Sequence, residues 1–426
     1  MERRTWPRAL LVGLAVAATL AVPVTASGGG SSVAVDRSLS PDTRFMVPVP
    51  QSGAVKQVLD LLKRGRIRDA ALIAKMVATP QAVWLDKGTP TQVRRTVKDT
   101  IALARLQRAV PVFVAYNVPS RDCSNLSAGG AASEAEYKAW IDGVASGIGN
   151  EKAVVIVEPD GLGLLPDSCP VDVPATDAER YRELNYAVDA LGAKPRTIVY
   201  LDATHSAWLN VGDAASRLIQ AGVQRARGFY LNASNFQFSA NLVQYGTWIS
   251  KCIARRLANP AAECPDQYWN GGPLPAKIAQ LLGEWTGVAL SPYGAWSDDT
   301  DTPELNTSGE SIRYADTAGA THFVIDSSRN GQGPWRFPTG TWSDGNAAQD
   351  WCNPPDRGLG LRPTANTGNA LVDAYLWIKI PGASDGQCAR STPGPADPLR
   401  GKVDPAAGLW FPDMALELVR NASPAL

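Results

Sequence analysis

Seven short runs of β-branched and aromatic residues recur along this chain, and they constrain its fold more tightly than any other feature. They occupy Ala82–Asp86, Val112–Tyr116, Val154–Pro159, Thr197–Ala203, Gly228–Ser234, Thr321–Ser327 and Asp373–Ile380. Each is almost continuously apolar, the pattern of a strand buried on both faces. Helical periodicity fills several intervals, at Gln92–Gln107, Glu134–Ile148 and Asp177–Leu191, and returns at Leu409–Asn421. Strand and helix in alternation give parallel strands joined by helical crossovers. The expected fold is therefore α/β, a closed or nearly closed parallel barrel built as a single domain over residues 41–426.

Polar residues gather at one end of these runs. Asp86 closes the first, and Tyr116-Asn117 follow the second. Glu158-Pro159-Asp160 follow the third, and Asp202 ends the fourth. Asn232 to Asn235, Asp326 to Arg329 and Lys379 follow the last three, with Asp385 just beyond. Loops are polar in general, which accounts for one or two such endings. A set this consistent is what a cleft at the C-terminal mouth of an α/β barrel requires.

The flanks and composition narrow the function class. Arg3, Arg4 and Arg8 precede an apolar run from Ala9 to Val22, and Val24-Thr25-Ala26 has small-residue cleavage character, so residues 1–26 read as a signal peptide and the product as secreted. The Gly/Ser-rich residues 27–40 read as a flexible leader. Lys plus Arg and Asp plus Glu both number 41, which argues against a nucleic-acid partner and suits a neutral substrate. Two His and six Cys without a C-x-x-C pair do not make a zinc site, so no metal or cofactor is expected. An even cysteine count in an exported chain reads as disulfides; fifteen pairings are formally open for six. Their order along the chain suggests Cys123–Cys169, Cys252–Cys264 and Cys352–Cys388. No phosphate-binding glycine loop with its lysine occurs.

The segment VVIVEPDGLGLL runs a buried strand straight into two carboxylates, which such strands rarely tolerate unless these are paired or functional. Asp160, set by Pro159, is a candidate general acid; Glu158 reads rather as a structural partner. A second carboxylate nearby would raise the pKa of Asp160. Asp122 in Arg121-Asp122-Cys123 offers one, with Arg121 to orient it, and Asp385 offers a third. Paired acids flanking a bond are the minimum for glycoside hydrolysis. Thirteen Trp add flat apolar faces suited to sugar rings as well as to a core.

Eight segments in order, VAYNVPSRDC, VVIVEPDGL, VYLDATHSAWL, GFYLNASNF, HFVIDSSRNG, DWCNPPDRGLGLRPTANTG, LVDAYLWIKIPGASDG and AAGLWFPDMALELVRNASP, resemble glycoside hydrolase family 6, the cellulose-degrading endoglucanases and cellobiohydrolases. The resemblance covers nearly all of residues 45–426. It implies a distorted seven-stranded, TIM-barrel-like (β/α) barrel and an inverting β-1,4-glucanase acting as a monomer on cellulose or cello-oligosaccharides, away from any membrane. It implies Asp160 as proton donor, Asp122 as the group that raises its pKa, Asp385 as the proposed base and Tyr116 beside the strained sugar. It implies substrate contacts from Trp84, Asp202, His205, Trp208, Asn235, Trp351 and Lys379, with Arg121 and Arg329 bracing Asp122. Two of the family's disulfides correspond to Cys123–Cys169 and Cys352–Cys388. The short loops at Ser124–Ala132 and after Asp385 imply an open groove and endo action; a cellobiohydrolase or a glucan-binding protein without catalysis are the alternatives.

The chain departs from the family pattern at three places. Ala383 stands where relatives carry Glu, implying a weaker sugar contact there. Gly161-Leu162-Gly163 replaces a less flexible Ser/Ala-Leu-Ala. Residues 238–310 are long and contain Cys252 and Cys264, as expected of a disulfide-closed insertion at the cleft rim.

Overall fold

The computed structural model describes residues 35–262, 264, 317–338 and 340–426. The expected signal peptide and most of the central part of the 238–310 insertion lie outside them. Seven parallel strands form one sheet in sequential order: β1 (Val83–Leu85), β2 (Val112–Ala115), β3 (Ala153–Val157), β4 (Thr197–Asp202), β5 (Gly228–Leu231), β6 (His322–Asp326) and β7 (Val372–Leu376). All six strand pairings are parallel. The sheet curls until its edges approach: Ala82 N–H donates to Trp377 C=O at 2.9 Å across the seam between β1 and β7. This is the distorted seven-stranded barrel expected from the sequence.

Each strand splits its side chains between two cores, as a period of two demands. Val112, Val114, Val154, Ile156, Ile198, Tyr200, Tyr230, Val324 and Ala374 form the inner cluster. Phe113, Ala115, Val155, Val157, Val199, Leu201, Phe229 and Phe323 face the helices. Burying a side chain of this kind stabilises the fold by roughly 1.5–3 kcal/mol, which is why the runs contain almost no polar residue before their ends.

The helices are α1 (Ser52–Lys63), α2 (Ile67–Val77), α3 (Pro90–Gln107), α4 (Glu134–Ile148), α5 (Asp177–Gly192), α6 (Val211–Gln220), α7 (Ser239–Ala258), α8 (Gly345–Ala348) and α9 (Pro412–Arg420). Thr89 with Gln92 and Thr176 with Glu179 close reciprocal capping boxes at α3 and α5. The last helix begins at Pro412 rather than Leu409, because proline suits the first helical turn and the extended Phe411 caps it. Among the described residues no helix is long and apolar enough to cross a membrane.

Two local features differ from the sequence reading. Part of the expected leader is tied down: Asp36 N–H donates to Pro195 C=O at 3.0 Å and its carboxylate pairs with Lys152 at 2.8 Å. The register also shifts between β6 and β7. Phe323 pairs with Val372 and Val324 with Ala374, leaving Asp373 as the extra residue of a bulge. Its carboxylate accepts from Tyr200 Oη at 2.6 Å and pairs with Arg227 at 2.7 Å. The ladder ends early on β7 because the Asp326 carboxylate takes the N–H groups of Ile378 and Lys379.

Candidate active site

At the strands' C-terminal ends opens a cleft of about 1360 Å³. Trp84, Tyr116, Arg121, Asp122, Asp160, His205, Trp208, Asn235, Trp351, Lys379 and Asp385 all line it. Asp202 and Arg329, singled out with them, are buried at 3% and 0% exposure rather than lining the wall.

The loops that carry the acids are backbone-strained. Glu158 and Asp160 sit at φ 50° and 63°, and Asp122, Cys123 and Ser124 at 58°, 46° and 63°. Left-handed conformations cost a non-glycine residue roughly 1–2 kcal/mol, and such outliers persist where surrounding contacts hold them. Here those contacts are specific. Glu158, fully buried, accepts from Asn117 N–H at 2.9 Å and Val118 N–H at 3.0 Å, so the β3 end grips the loop after β2. Arg180 of α5 donates to Pro119 C=O at 2.9 Å and Gly161 C=O at 2.8 Å, tying the same two loops from behind. The Cys123–Cys169 disulfide adds a covalent link. Arg121 donates to the carbonyls of Asp86, Ser127 and Tyr116, the last at 2.5 Å, and lays its guanidinium over the Tyr116 ring at 4.4 Å.

The surroundings of Asp160 favour its acid form. Burial raises its pKa well above the ordinary carboxyl range, and the negative charges of Asp202, Asp122 and Asp385 add to the effect in that order, against the opposing charge of Lys379. Asp202 thus contributes more than Asp122, the residue expected to dominate. Asp202 is itself raised to about 6 by burial, although it accepts from Thr204 N–H at 2.9 Å and Leu162 N–H at 3.3 Å. Asp122 is raised by burial too, and accepts from Ser127 N–H at 2.6 Å.

Asp385 has the opposite character. Arg329 Nη1 and Lys379 Nζ each reach its carboxylate at 2.8 Å, and Asn353 N–H donates at 3.0 Å. These cations hold its pKa below the usual carboxylate value despite burial. Arg329, expected to brace Asp122, is therefore the partner of Asp385: the loop after β6 meets the loop after β7, its sheet neighbour, and not the loop after β2.

The aromatic residues are fixed by their polar atoms or by close packing. Trp84 Nε1 donates to Ile378 C=O at 2.8 Å, and its ring stands edge-on to Tyr116 at 5.3 Å. Trp208 rests on Gly163, where an added Cβ would lie 2.7 Å from the indole. The glycine is required there by that approach, so the Gly161-Leu162-Gly163 departure reads as packing rather than flexibility. His205 Nδ1 accepts from Ala207 N–H at 3.2 Å, and burial lowers its pKa to about 3, leaving a neutral ring with Nε2–H free to donate.

Comparison with known proteins decides the family. The profile of the family described as Glycosyl hydrolases family 6 matches residues 41–422. This chain belongs to glycosyl hydrolases family 6. It is 33% identical to endoglucanase A of Cellulomonas fimi over 83% of its own length, and spans 57% of the length of that protein. It is 31% identical to a probable 1,4-β-D-glucan cellobiohydrolase C of Aspergillus niger, over 81% of this chain and 69% of that one. The solved structure of the endoglucanase Cel6 from Mycobacterium tuberculosis, in complex with methyl-cellobiosyl-4-deoxy-4-thio-β-D-cellobioside, is 32% identical. It superimposes with a TM-score of 0.60, covering 89% of this chain and 97% of that one.

In this family-6 chain the three disulfides pair Cys123–Cys169, Cys252–Cys264 and Cys352–Cys388, the successive order suggested by the sequence. Among the described residues one compact group, Cys388, Asp397 and Asp404, has the spacing of a cation site. Its sulfur is committed to a disulfide and Asp397 is paired with Arg390 at 2.9 Å, so little donor capacity remains. Sequence reasoning missed Asn353, whose Oδ1 accepts from Asp385 N–H at 2.8 Å while its Nδ2 reaches Asp404 at 2.9 Å. Its position directly after Cys352 in the quoted DWCNPP segment was the available signal. Trp335 and Trp410, which also line the cleft, were missed as well.

Proposed function

We propose that this protein is an exported, inverting β-1,4-glucanase that cleaves glucan chains internally. The observation that carries the reading is the gathering of Asp160, Asp122 and Asp385 in one cleft walled by Trp84, Trp208 and Trp351, where burial and neighbouring carboxylates favour the acid form of Asp160. Asp160 gives its proton to the glycosidic oxygen as the bond from C1 breaks, and the oxygen leaves as a hydroxyl. Asp122 faces the positive charge that develops on the sugar, while the buried Asp202 acts through Asp160. Water attacks C1 from the opposite side and passes its proton through solvent toward Asp385, which Arg329 and Lys379 keep ionised. Tyr116 lies beside the reacting sugar, and His205, Asn235 and Lys379 contact its neighbours. The names of the relatives, endoglucanases and cellobiohydrolases, support the glucan class. The short loops at Ser124–Ala132 and after Asp385 support endo action.

The test is Asp160→Ala. Turnover of cello-oligosaccharides is expected to fall roughly 10²–10⁴-fold while binding persists; unchanged turnover refutes the assignment. The first product seen by NMR should be the α-anomer. Carboxymethylcellulose viscosity should collapse early relative to reducing ends released; a slow fall favours a cellobiohydrolase instead. Binding with no sugar released by the native protein would mean a glucan-binding protein.

A further inference from the structure

We infer that Trp410 is an additional glucose platform at the end of the cleft beyond Trp84, a reading that rests on the glucanase function proposed above. The seam between β1 and β7 defines this end. Trp84 lies at the close of β1 and donates its Nε1 to Ile378, just after β7. The loop that continues from Ile378 brings Ala383 into an antiparallel bridge with Trp410. Trp208 follows β4, the middle strand of the sheet order, away from this seam. Trp84, Ala383 and Trp410 line the same cleft, with Gln51 and Gly408 beside them.

The indole is built as a rigid platform. Its Nε1 donates to Gln57 Oε1 at 2.7 Å, so its polar atom is satisfied and its remaining surface is apolar. A Cβ on Gly53 would lie 2.5 Å from Trp410 Cβ, and one on Gly382 2.8 Å from the far edge of the ring, so both positions must be glycine for the ring to sit where it does. Packing against the buried cluster of Phe411, Met414 and Ala415 supports the ring on one side, yet the residue remains partly exposed.

Ala383 makes the exposure possible. Bridge partners project their side chains to the same face, with Cβ atoms about 4.5–5.5 Å apart. A long side chain at 383 would lie across the indole; a methyl group leaves it open to the cleft. The walls past this point, Val49, Pro50 and Ala406 to Gly408, are largely exposed, so a glucan chain can run on outward.

The experiment measures calorimetric binding of cellotriose through cellohexaose to the Asp160→Ala chain, alone and with Trp410→Ala, Trp410→Phe or Ala383→Leu. Trp410→Ala is expected to weaken cellohexaose binding about 5- to 10-fold, the size of a lost aromatic stacking contact, with a smaller loss for cellotriose. Trp410→Phe should retain most of the affinity. Ala383→Leu should reproduce the length-dependent loss even if its Tm falls by a few degrees, as a larger side chain at this buried position costs, and retained cellotriose binding guards against misfolding in both variants. Unchanged cellohexaose affinity in Ala383→Leu, or an equal loss at every length, overturns the platform and leaves Trp410 as packing. If the parent binds no cello-oligosaccharide at all, the glucanase reading falls and the platform with it.

Discussion

The carboxylate that does most to favour the acid form of Asp160 belongs to a residue that does not line the cleft wall. Asp202 stands first among the carboxylates that hold the proton on Asp160, and with its own pKa near 6 it becomes ionised as the pH approaches neutrality. Its charge raises the Asp160 pKa, so removing it must lower that pKa. An acid catalyst works only while protonated, and the alkaline limb of the pH–rate profile reports its loss. Asp202→Asn, which keeps an acceptor oxygen for Thr204 N–H, is therefore expected to move the alkaline limb of kcat/KM toward acid. An unmoved limb would make Asp202 a loop cap and nothing more. The two groups interact strongly, so the profile reports them as a pair. None of this ranking is legible in sequence. Asp122 in the loop after β2 and Asp202 at the end of β4 both read as acids at the barrel mouth, and only their placement around Asp160 separates them. The partner of Arg329 was misread for the same reason: pairing follows which loops converge, and the sequence shows only which residues each loop carries.

At the scale of elements, the loops after β2 and β3 form one mechanical unit. Glu158 and Arg180 clamp them through main-chain groups, and the disulfide Cys123–Cys169 closes them covalently. The acid and its neighbour Asp122 ride on this unit. Arg180→Lys retains the charge but loses the planar fork that reaches carbonyls on both loops. The expected result is a fall in kcat of about 10-fold or more, with KM little altered, because the aromatic walls that would hold glucan belong to other loops. Equal losses in kcat and KM would mean that the whole cleft had relaxed. The strands themselves were readable because burial on both faces leaves an unbroken apolar run. Helices α1, α2, α6 and α7 were not singled out. The first two precede the first strand, so no alternation announces them. Gly212 in the first turn weakens the helical signal of α6, and α7 opens inside a segment whose length suggested an insertion.

Across the whole molecule, acidic groups have been buried in unusual number, and this sets how stability depends on pH. Burial raises Glu158 to about 7, Glu183 to about 8 and Asp202 and Asp404 each to about 6. In the unfolded chain such groups titrate near 4. The folded state therefore binds more protons than the unfolded state between these limits, and stability must fall as pH rises through the window. The contribution is complete below about pH 4, is lost progressively through the folded values of 6 to 8, and levels off above them. Surface acids with lowered pKa, such as Glu134 beside Arg182 and Asp69 beside Arg420, carry the opposite sign but act only in stronger acid. Calorimetric Tm should accordingly peak near pH 5 and drop by a few degrees or more by pH 8.5. Glu183 lies 3.7 Å from Arg180, within reach of the charge of Glu158, and has the highest of these values. Glu183→Gln removes one proton from the balance, so the decline between pH 6 and 8.5 should become shallower in that variant. A Tm that rises across this range in the native protein would show that the buried acids are already ionised in the fold, and the proton held on Asp160 would then need another explanation.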